Sequence, residues 1–340
     1  MIQRKKLKSL VLRRKKKKNA SQFQISYYDR KNKRMERELI CGGGLLRFLY
    51  ESRKGRPWAG ILSHCLFSKL YGVYQNSPLS KKAIPGFIKK FQIQMEDYLR
   101  ESERQHREEI PYRTFNEFFI RKFRDGARTF VKDKKLMPAF AEAKYLAYCS
   151  MAENEAYMIK GRQLSIGDIL LNSKWEKVFR DGPIMIARLS PIDYHRFHFP
   201  DDGEFLDYYQ LSGKLHSVNP VALRRKRNIF AVNERQVSIL TTKNFGKLAY
   251  VEVGALAVGK IRQTHAMSKS FKRGDEKGFF LFGGSTVILI GEGGRDKQPP
   301  RWLPDQDLLD MTSKKIETFV RLGERVAHVV TQRPKIISAS

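Results

Sequence analysis

The sequence predicts an α+β protein in which helices precede a mainly antiparallel β domain. Apolar residues recur at helical spacing in residues 41–125, whereas β-branched runs separated by Gly, Pro, Asn and Asp fill residues 126–340. The glycine spacing of this later part suits an antiparallel sheet better than alternating βαβ units. Residues 1–40 are polar and basic, and we predict that they form an N-terminal extension.

The composition and charge of the chain narrow the class of protein. Hydrophobic residues make up 41% of the 340 residues, which supplies a core and excludes a disordered chain. The 66 Lys and Arg residues outnumber the 35 Asp and Glu residues, so the formal net charge is +31. Such an excess predicts a polyanionic partner, either nucleic acid or an acidic membrane surface. Residues 1–18 hold ten basic residues and no acidic one, which fits a solvated tail or an electrostatic tether to lipid.

The cysteines and the apolar stretches bear on compartment and membrane contact. Cys41, Cys65 and Cys149 are odd in number and lack metal-ligand spacing, so we predict a reducing compartment rather than a disulfide framework. Residues 45–50 and 61–71 are apolar stretches broken by basic residues, and both are too short to span a bilayer. They suit helices at a membrane interface, or ordinary amphipathic helices packed on a core.

Local patterns predict individual elements. Apolar residues at i, i+4 and i+8 predict a helix over residues 87–104. Thr114 and Glu117 form a capping-box pattern that opens a short helix. Composition also predicts a short hairpin in residues 22–28, a helix over 169–179 and strands over 183–189, 248–258 and 286–290.

Two glycines and a hydroxyl residue, Gly283, Gly284 and Ser285, stand just before an apolar strand. A tight turn entering the strand is the simplest interpretation. A phosphate-binding loop is disfavoured because no Gly-Lys-Ser/Thr signature follows. The third interpretation is backbone cleavage, in which the serine hydroxyl attacks the preceding carbonyl carbon. Glycine permits the bend that this attack requires.

Two of the seven histidines, His195 and His198, stand within four residues before a Pro-Asp-Asp-Gly turn. If the segment is extended, their rings point to opposite faces, whereas a turn lets them converge. A zinc site is disfavoured because no cysteine or third histidine stands at useful spacing, so no metal is predicted. Acid–base catalysis is the favoured interpretation.

These two segments, with four others in the same order, resemble motifs of the phosphatidylserine decarboxylases. The resemblance covers residue 22 to the C-terminus and leaves residues 1–21 as an extension. Each motif alone is weak, but their shared order is strong evidence of family membership. The matching segments are 114–121 (TFNEFFIR) followed by 126–128 (GAR), 194–200 (YHRFHFP), 213–220 (GKLHSVNP), 233–235 (NER), 251–255 (VEVGA) and 283–286 (GGST).

The resemblance implies an enzyme that processes itself. Cleavage between Gly284 and Ser285 would give a β chain of residues 1–284 and an α chain of residues 285–340. Ser285 would become a covalent pyruvoyl cofactor. This group acts as the electron sink when phosphatidylserine loses carbon dioxide and becomes phosphatidylethanolamine.

The resemblance and the logic of catalytic triads together assign roles to three further side chains. His198 is the candidate base that activates Ser285, and Glu142 is expected to hold its useful tautomer. His195 is the candidate proton donor that quenches the carbanion after decarboxylation.

The chain departs from the family pattern at two places. The family usually has Pro-Ala-Asp-Gly where residues 140–143 read Phe-Ala-Glu-Ala, so the carboxylate of Glu142 is one methylene longer. A competing alignment puts Phe140 at the Asp position and leaves no carboxylate there. Lys260 stands where a small residue is usual. Both departures bear on catalytic efficiency more than on the fold.

The predicted partners are phosphatidylserine, an anionic membrane surface and the two chains of the processed molecule, and no nucleic acid is expected. A homo-oligomer is compatible with the sequence. We expect a peripheral protein on the cytoplasmic face of the cell membrane, bound through residues 1–75, with residues 41–125 as its helical membrane-associating region. The alternative is a non-processing family member that acts as a basic membrane- or nucleic-acid-binding protein. The charge, Glu142 and Lys260 favour this alternative, whereas the intact cleavage site and both histidines disfavour it.

Overall fold

The computed structural model describes residues 25–63, 65–98, 111–150, 158–159, 162–163, 165–225, 228–256, 260–293 and 299–330. The predicted basic leader of residues 1–18 lies outside this part of the chain. So do the last residues of the helix predicted over 87–104 and of the strand predicted over 248–258.

The described residues contain strands throughout, and four of their ten α-helices lie between residues 43 and 91. The strands are β1 (Ser26–Asp29), β2 (Arg34–Arg37), β3 (Leu136–Pro138), β4 (Ala143–Tyr148), β5 (Met158–Ile159), β6 (Arg162–Gln163), β7 (Ile184–Leu189), β8 (Arg196–His198), β9 (Gly203–Leu211), β10 (Arg235–Thr242), β11 (Gly246–Val253), β12 (Ile261–Gln263), β13 (Glu276–Phe280), β14 (Ser285–Gly291), β15 (Trp302–Pro304), β16 (Glu317–Val320) and β17 (Arg325–Val329). The α-helices are α1 (Gly43–Glu51), α2 (Arg56–Leu62), α3 (Cys65–Gln75), α4 (Ile84–Phe91), α5 (Phe115–Phe119), α6 (Ile166–Leu170), α7 (Ser173–Phe179), α8 (Pro220–Arg225), α9 (Ile229–Val232) and α10 (Gln306–Ser313), with 3₁₀ turns at Pro78–Ala83 and Met95–Asp97.

Nine strands form one sheet in the order β2-β1-β16-β4-β7-β14-β11-β10-β9. Neighbours in this sheet are antiparallel except β1 and β16, which pair in parallel. Smaller sheets have the orders β12-β13-β8, β15-β17-β3 and β5-β6. The structure thus confirms a mixed α and β protein with mainly antiparallel sheets.

The central strands β7 and β14 position the later chemistry. Both are buried along their whole length, as their near-continuous apolar sequences predict for strands covered on both faces. They pair with each other from Ser285 opposite Leu189 to Ile290 opposite Ile184. A second, smaller apolar cluster joins α4 and α5 to Phe282, directly before the cleavage motif.

The predicted helices differ from the observed ones at their ends. The helix predicted over residues 87–104 ends at Phe91, because Gln92 takes the left-handed conformation with φ 52°. The helix predicted over 169–179 is two helices, α6 and α7, separated by Leu171 with φ 46°. Thr114 is the N-cap of α5, as predicted, and its hydroxyl accepts a hydrogen bond from the Glu117 N–H over 3.1 Å.

The predicted boundary at residue 40 also differs from the structure. Strands β1 and β2 form a hairpin that pairs with β16, so residues 26–37 belong to the nine-stranded sheet rather than to an extension. The sequence predicted a short hairpin in residues 22–28, of which 22–24 lie outside the described residues. The observed hairpin spans residues 26–37, so the predicted position is wrong, and its place at the sheet edge was not predicted.

The predicted cleavage would divide this sheet between two chains. Strand β14 begins at Ser285 and lies between β7 and β11, and β16 lies between β1 and β4. Both strands belong to residues 285–340, whereas their neighbours belong to residues 1–284. The fragments therefore share one hydrogen-bonded sheet and cannot separate without breaking it.

Candidate active site

The candidate cleavage bond lies in a turn that enters the central strand β14. Ser285 is fully buried and is the first residue of that strand. Gly283 has φ 139°, a conformation that side-chain-bearing residues rarely adopt, so glycine is required there. A Cβ on Gly284 would meet nothing closer than 3.6 Å. The bend before Ser285 therefore depends on Gly283 more than on Gly284.

His195 is the histidine that the structure brings to Ser285. Its Nδ1 lies 3.3 Å from Ser285 Oγ, and its Nε2 lies 2.9 Å from the carbonyl oxygen of Ser190. A carbonyl oxygen can only accept, so Nε2 carries the proton and Nδ1 offers a lone pair to the serine hydroxyl. The arrangement is that of a nucleophile and its base.

Burial keeps this histidine neutral. His195 is fully buried, and its desolvation, together with the nearby charges of Arg121 and Lys144, holds its pKa well below the ordinary value. The ring of Phe119 stacks on it with centroids 3.8 Å apart. A neutral imidazole with a free lone pair is thus available at Ser285 at neutral pH.

The segment of residues 114–121 builds one wall of the site. The Asn116 Oδ1 accepts a hydrogen bond from the Phe282 N–H over 2.9 Å, which anchors the turn before the cleavage bond. Arg121 Nη2 donates to the carbonyl of Ile192 over 2.9 Å and so supports the segment that carries His195. Sequence reasoning gave these residues no role, and the only signal for them was the family motif that contains them.

His198 faces another environment. Its Nδ1 lies 3.0 Å from the Gly274 carbonyl oxygen and its Nε2 lies 3.3 Å from the Tyr194 hydroxyl. Its backbone N–H donates to the Phe140 carbonyl over 2.8 Å within an extended segment. The predicted contact of His198 with Ser285 is therefore not formed, because extended backbone turns the two histidine rings to opposite sides.

Glu142 is paired with arginine and not with histidine. Its two carboxylate oxygens accept from Arg128 Nε over 2.5 Å and Arg128 Nη2 over 2.7 Å, and one of them also accepts from the Leu322 N–H over 3.2 Å. The prediction that Glu142 orients His198 is thus wrong for this arrangement, because the bidentate ion pair takes up the carboxylate.

Phe140, the residue of the competing alignment, and Lys260, the second departure from the family pattern, have different surroundings. Phe140 is fully buried and packs edge-on against Tyr145 and Tyr250, with centroid distances of 5.5 and 5.6 Å. It supplies only its carbonyl oxygen to His198. Lys260 is exposed, and its carbonyl accepts from the Leu281 N–H over 3.0 Å. Within the described residues, the Lys260 side chain makes no recorded contact with the cleavage site.

A cavity of about 250 Å³ reaches the cleavage motif from the helical region. Most of its lining is apolar, and its polar groups include Glu38, Arg188 and Ser190. Leu46 of α1 and Leu62 of α2 form part of its wall, as do Gly283 and Gly284. The cavity therefore joins the surface helices to the bond before Ser285.

Two absences hold for the residues that the structure describes. Among them, no group of three His, Cys, Asp or Glu side chains is placed to hold a metal ion. None of their helices combines the length and the apolar character that crossing a bilayer requires.

Comparison with known proteins agrees with these features. The family model described as phosphatidylserine decarboxylase matches residues 115–328. Three proteins named phosphatidylserine decarboxylase proenzyme are similar over most of their length. That of Clostridium kluyveri is 38% identical, covering 89% of this chain and 98% of its own. The proteins of Ruminiclostridium cellulolyticum and Fusobacterium nucleatum are 36% and 35% identical, covering 92% and 88% of this chain and 100% and 96% of their own.

Proposed function

Because this chain belongs to the phosphatidylserine decarboxylase family, we propose that it activates itself by cleavage between Gly284 and Ser285. The chain is a carboxy-lyase that converts phosphatidylserine to phosphatidylethanolamine and carbon dioxide. The observation that carries the proposed activation is the contact of buried Ser285 Oγ with His195 Nδ1, directly after the Gly283 bend.

The cleavage proceeds in two stages. His195 Nδ1 takes the proton of Ser285 Oγ, which attacks the carbonyl carbon of Gly284. The new C–O bond replaces the C–N bond, so the Ser285 nitrogen becomes an amine and an ester links the two residues. Loss of the Ser285 Cα proton then breaks the Cβ–O bond and frees Gly284 as a carboxylate. Water finally replaces the nitrogen, which leaves as ammonia, and a pyruvoyl group remains at position 285.

The surroundings of Ser285 fit such a group. Position 285 lies in a fully buried site, beside a neutral histidine and directly after Gly284, which lines a cavity. A pyruvoyl carbonyl supplies an electron sink for decarboxylation. His195 keeps Nδ1 toward position 285, so this nitrogen can accept a proton and pass it to the carbon after carbon dioxide departs.

The cavity suits the entry of a lipid headgroup and the first part of its apolar body. Eight of the twelve exposed large apolar side chains in the described residues lie between positions 45 and 79, where α1, α2 and α3 carry most of them. Leu45 belongs to this surface and also lines the cavity. The cavity thus connects this apolar surface to Gly284.

The same surface supports peripheral binding to a membrane. Exposed basic residues stand among its apolar side chains, including Arg53, Lys54, Lys81, Lys82, Lys89 and Lys90. Each basic residue near an acidic leaflet contributes about 1 kcal/mol. We infer binding at the cytoplasmic face of the cell membrane, with the apolar side chains in the headgroup region. The expected homo-oligomer stays a prediction.

Mass spectrometry of the purified chain tests the activation. We expect two fragments, residues 1–284 and residues 285–340, with the shorter one blocked at its N-terminus by pyruvoyl. Ser285→Ala should remain one chain, since it lacks the nucleophile. An uncut wild-type chain, or a free serine amine at position 285, would contradict the proposal and favour a non-processing binding protein.

Vesicle co-sedimentation tests the membrane surface. Binding to vesicles with acidic lipid should weaken as salt rises, because exposed charges are screened. Ile61→Ser should bind less than its control Leu206→Ser, which changes an exposed leucine on β9, away from this surface. Equal binding of both variants to neutral vesicles at all salt concentrations would remove the helical surface from the interaction.

A further inference from the structure

Five charged side chains gather in the interior beside the histidine that contacts the cleavage serine. Three are acidic and two are basic, so the cluster carries a formal charge of −1. Buried charges are stable only when they are paired and hydrogen-bonded. The side chains are Glu38, Lys144, Arg188, Asp193 and Glu317, each no more than 12% exposed.

Four of these side chains meet at Ser190. Its hydroxyl accepts from Lys144 Nζ over 3.1 Å and from Arg188 Nη1 over 3.2 Å, and donates its proton to Glu38 Oε1. Its backbone N–H donates to Asp193 Oδ2 over 2.7 Å. Every polar hydrogen of Ser190 is therefore engaged, which fixes the residue from both the side chain and the backbone.

The carbonyl of Ser190 is the group that sets the tautomer of His195. It lies 2.9 Å from His195 Nε2 and also accepts from the Asp193 N–H over 2.9 Å. Ser190 follows Leu189, the residue that pairs with Ser285 across β7 and β14. A displacement of Ser190 therefore moves the base relative to its nucleophile.

Glu38 reaches this cluster from outside the segment that matches the family model. It stands just after β2, and its N–H donates to the Ile25 carbonyl over 2.8 Å, which closes the N-terminal hairpin. Both of its oxygens accept from Arg188, over 3.0 and 2.7 Å. Burial raises the pKa of Glu38, but Arg188 and Lys144 outweigh burial and hold it at about 2. The carboxylate is thus charged at neutral pH.

We propose that Glu38 is a positioning residue that holds Ser190, and through its carbonyl His195, in register with position 285. The N-terminal hairpin of β1 and β2 thereby completes the active site. This inference rests on the proposed function, since it concerns the same serine and histidine. Catalytic groups must be held within about 0.5 Å of their working geometry, so a loosened Ser190 lowers the rate of chemistry. Self-cleavage involves no lipid, so its rate reports this positioning separately from substrate binding.

The experiment compares Glu38→Gln with Glu36→Gln in the full-length protein. Glu36 lies on β2 beside it, is partly exposed and pairs only with Arg34 among the described ion pairs, so it is a matched control. We expect Glu38→Gln to slow cleavage and to lower kcat for phosphatidylserine in mixed micelles by about tenfold or more. The cleavage rate carries the test, because Glu38 also lines the cavity and its replacement can alter KM as well. Glu36→Gln should match the wild type in both reactions.

A double-mutant cycle with Ser190→Ala separates positioning from general stability. Ser190→Ala removes the hydroxyl but keeps the carbonyl that binds His195. If Glu38 acts through that hydroxyl, Glu38→Gln should slow Ser190→Ala little further, so the two effects are not additive. Thermal unfolding in the uncut Ser285→Ala background shows whether each variant folds.

Three outcomes would overturn the inference. They are cleavage and kcat of Glu38→Gln within twofold of Glu36→Gln, a change confined to KM, or full additivity with Ser190→Ala. Should Glu38→Gln not fold, Ser190→Ala decides, and a wild-type rate for it refutes the inference. A wild-type chain that neither cuts nor decarboxylates refutes the proposed function instead.

Discussion

His195 and His198 are three residues apart and both are buried, yet their surroundings differ in the property that matters for catalysis. His195 Nε2 donates to a carbonyl oxygen, and its Nδ1 faces Ser285. In His198 it is Nδ1 that faces a carbonyl oxygen, so Nδ1 carries the proton. Its Nε2 faces the Tyr194 hydroxyl. The comparison shows that the backbone carbonyl at each ring, rather than a carboxylate, selects which nitrogen can act as a base.

Replacing each histidine by alanine tests directly which of the two acts as the base. His195→Ala should lose both cleavage and decarboxylation, by about 10²–10⁴-fold in rate, as expected for a general base. His198→Ala should cleave faster than His195→Ala, because His198 does not contact Ser285. Fragment appearance on denaturing gels and release of labelled carbon dioxide measure the two steps.

The reverse order would contradict this arrangement. If His198→Ala stays uncut while His195→Ala is processed, then His198 is the base, as the sequence suggested. Cleavage would then pass through a conformation other than the one described, and His195 would serve decarboxylation alone.

Removing the charge of Glu142 should affect stability more than chemistry. Glu142→Gln breaks the bidentate pair with Arg128, in which both side chains are at most 10% exposed, at a cost of about 1–3 kcal/mol. The control Asp97→Asn breaks the second contact of Arg128, and Asp97 is 35% exposed, so its cost should be below about 1 kcal/mol. Urea unfolding in the Ser285→Ala background measures both. A loss of cleavage as deep as that of His195→Ala would return Glu142 to the catalytic machinery.

The smallest expected effect is on the pH dependence of cleavage. An ordinary histidine loses half of its base form near about pH 6.5. Burial lowers the pKa of His195 well below this value, so its neutral form persists and the cleavage rate should stay level as pH falls through 6.5. A half-maximal rate near pH 6.5 would show a solvated base instead.

The lowered pKa values of the two histidines also predict how the free energy of unfolding depends on pH. The unfolded chain binds protons near about pH 6.5 that folded His195 and His198 do not bind, because burial lowers the pKa of both in the folded state. The free energy of unfolding should therefore be highest above this pH and decrease as pH falls below it.

Much of the fold was predictable from local patterns. The strand predictions over residues 183–189, 248–258 and 286–290 correspond to β7, β11 and β14, because apolar β-branched runs report burial in a sheet directly. The N-cap at Thr114 was also predictable, because its signal lies within four residues of the chain. Helix ends at Phe91 and Leu170 were missed because Gln92 and Leu171 adopt left-handed conformations without a glycine signal.

The residue patterns alone identified the family, the motif at Gly284 and Ser285, and the two histidines. These residues lie within short segments that resemble the motifs of the family and follow the same order. Three contacts became known only from the folded chain: His195 with Ser285, Arg128 with Glu142, and Glu38 with Ser190. The last joins the N-terminal hairpin to a residue about 150 positions away. These contacts join segments far apart in the chain, and hydrogen-bond partners across such distances depend on how strands pair and pack, which local residue patterns do not specify.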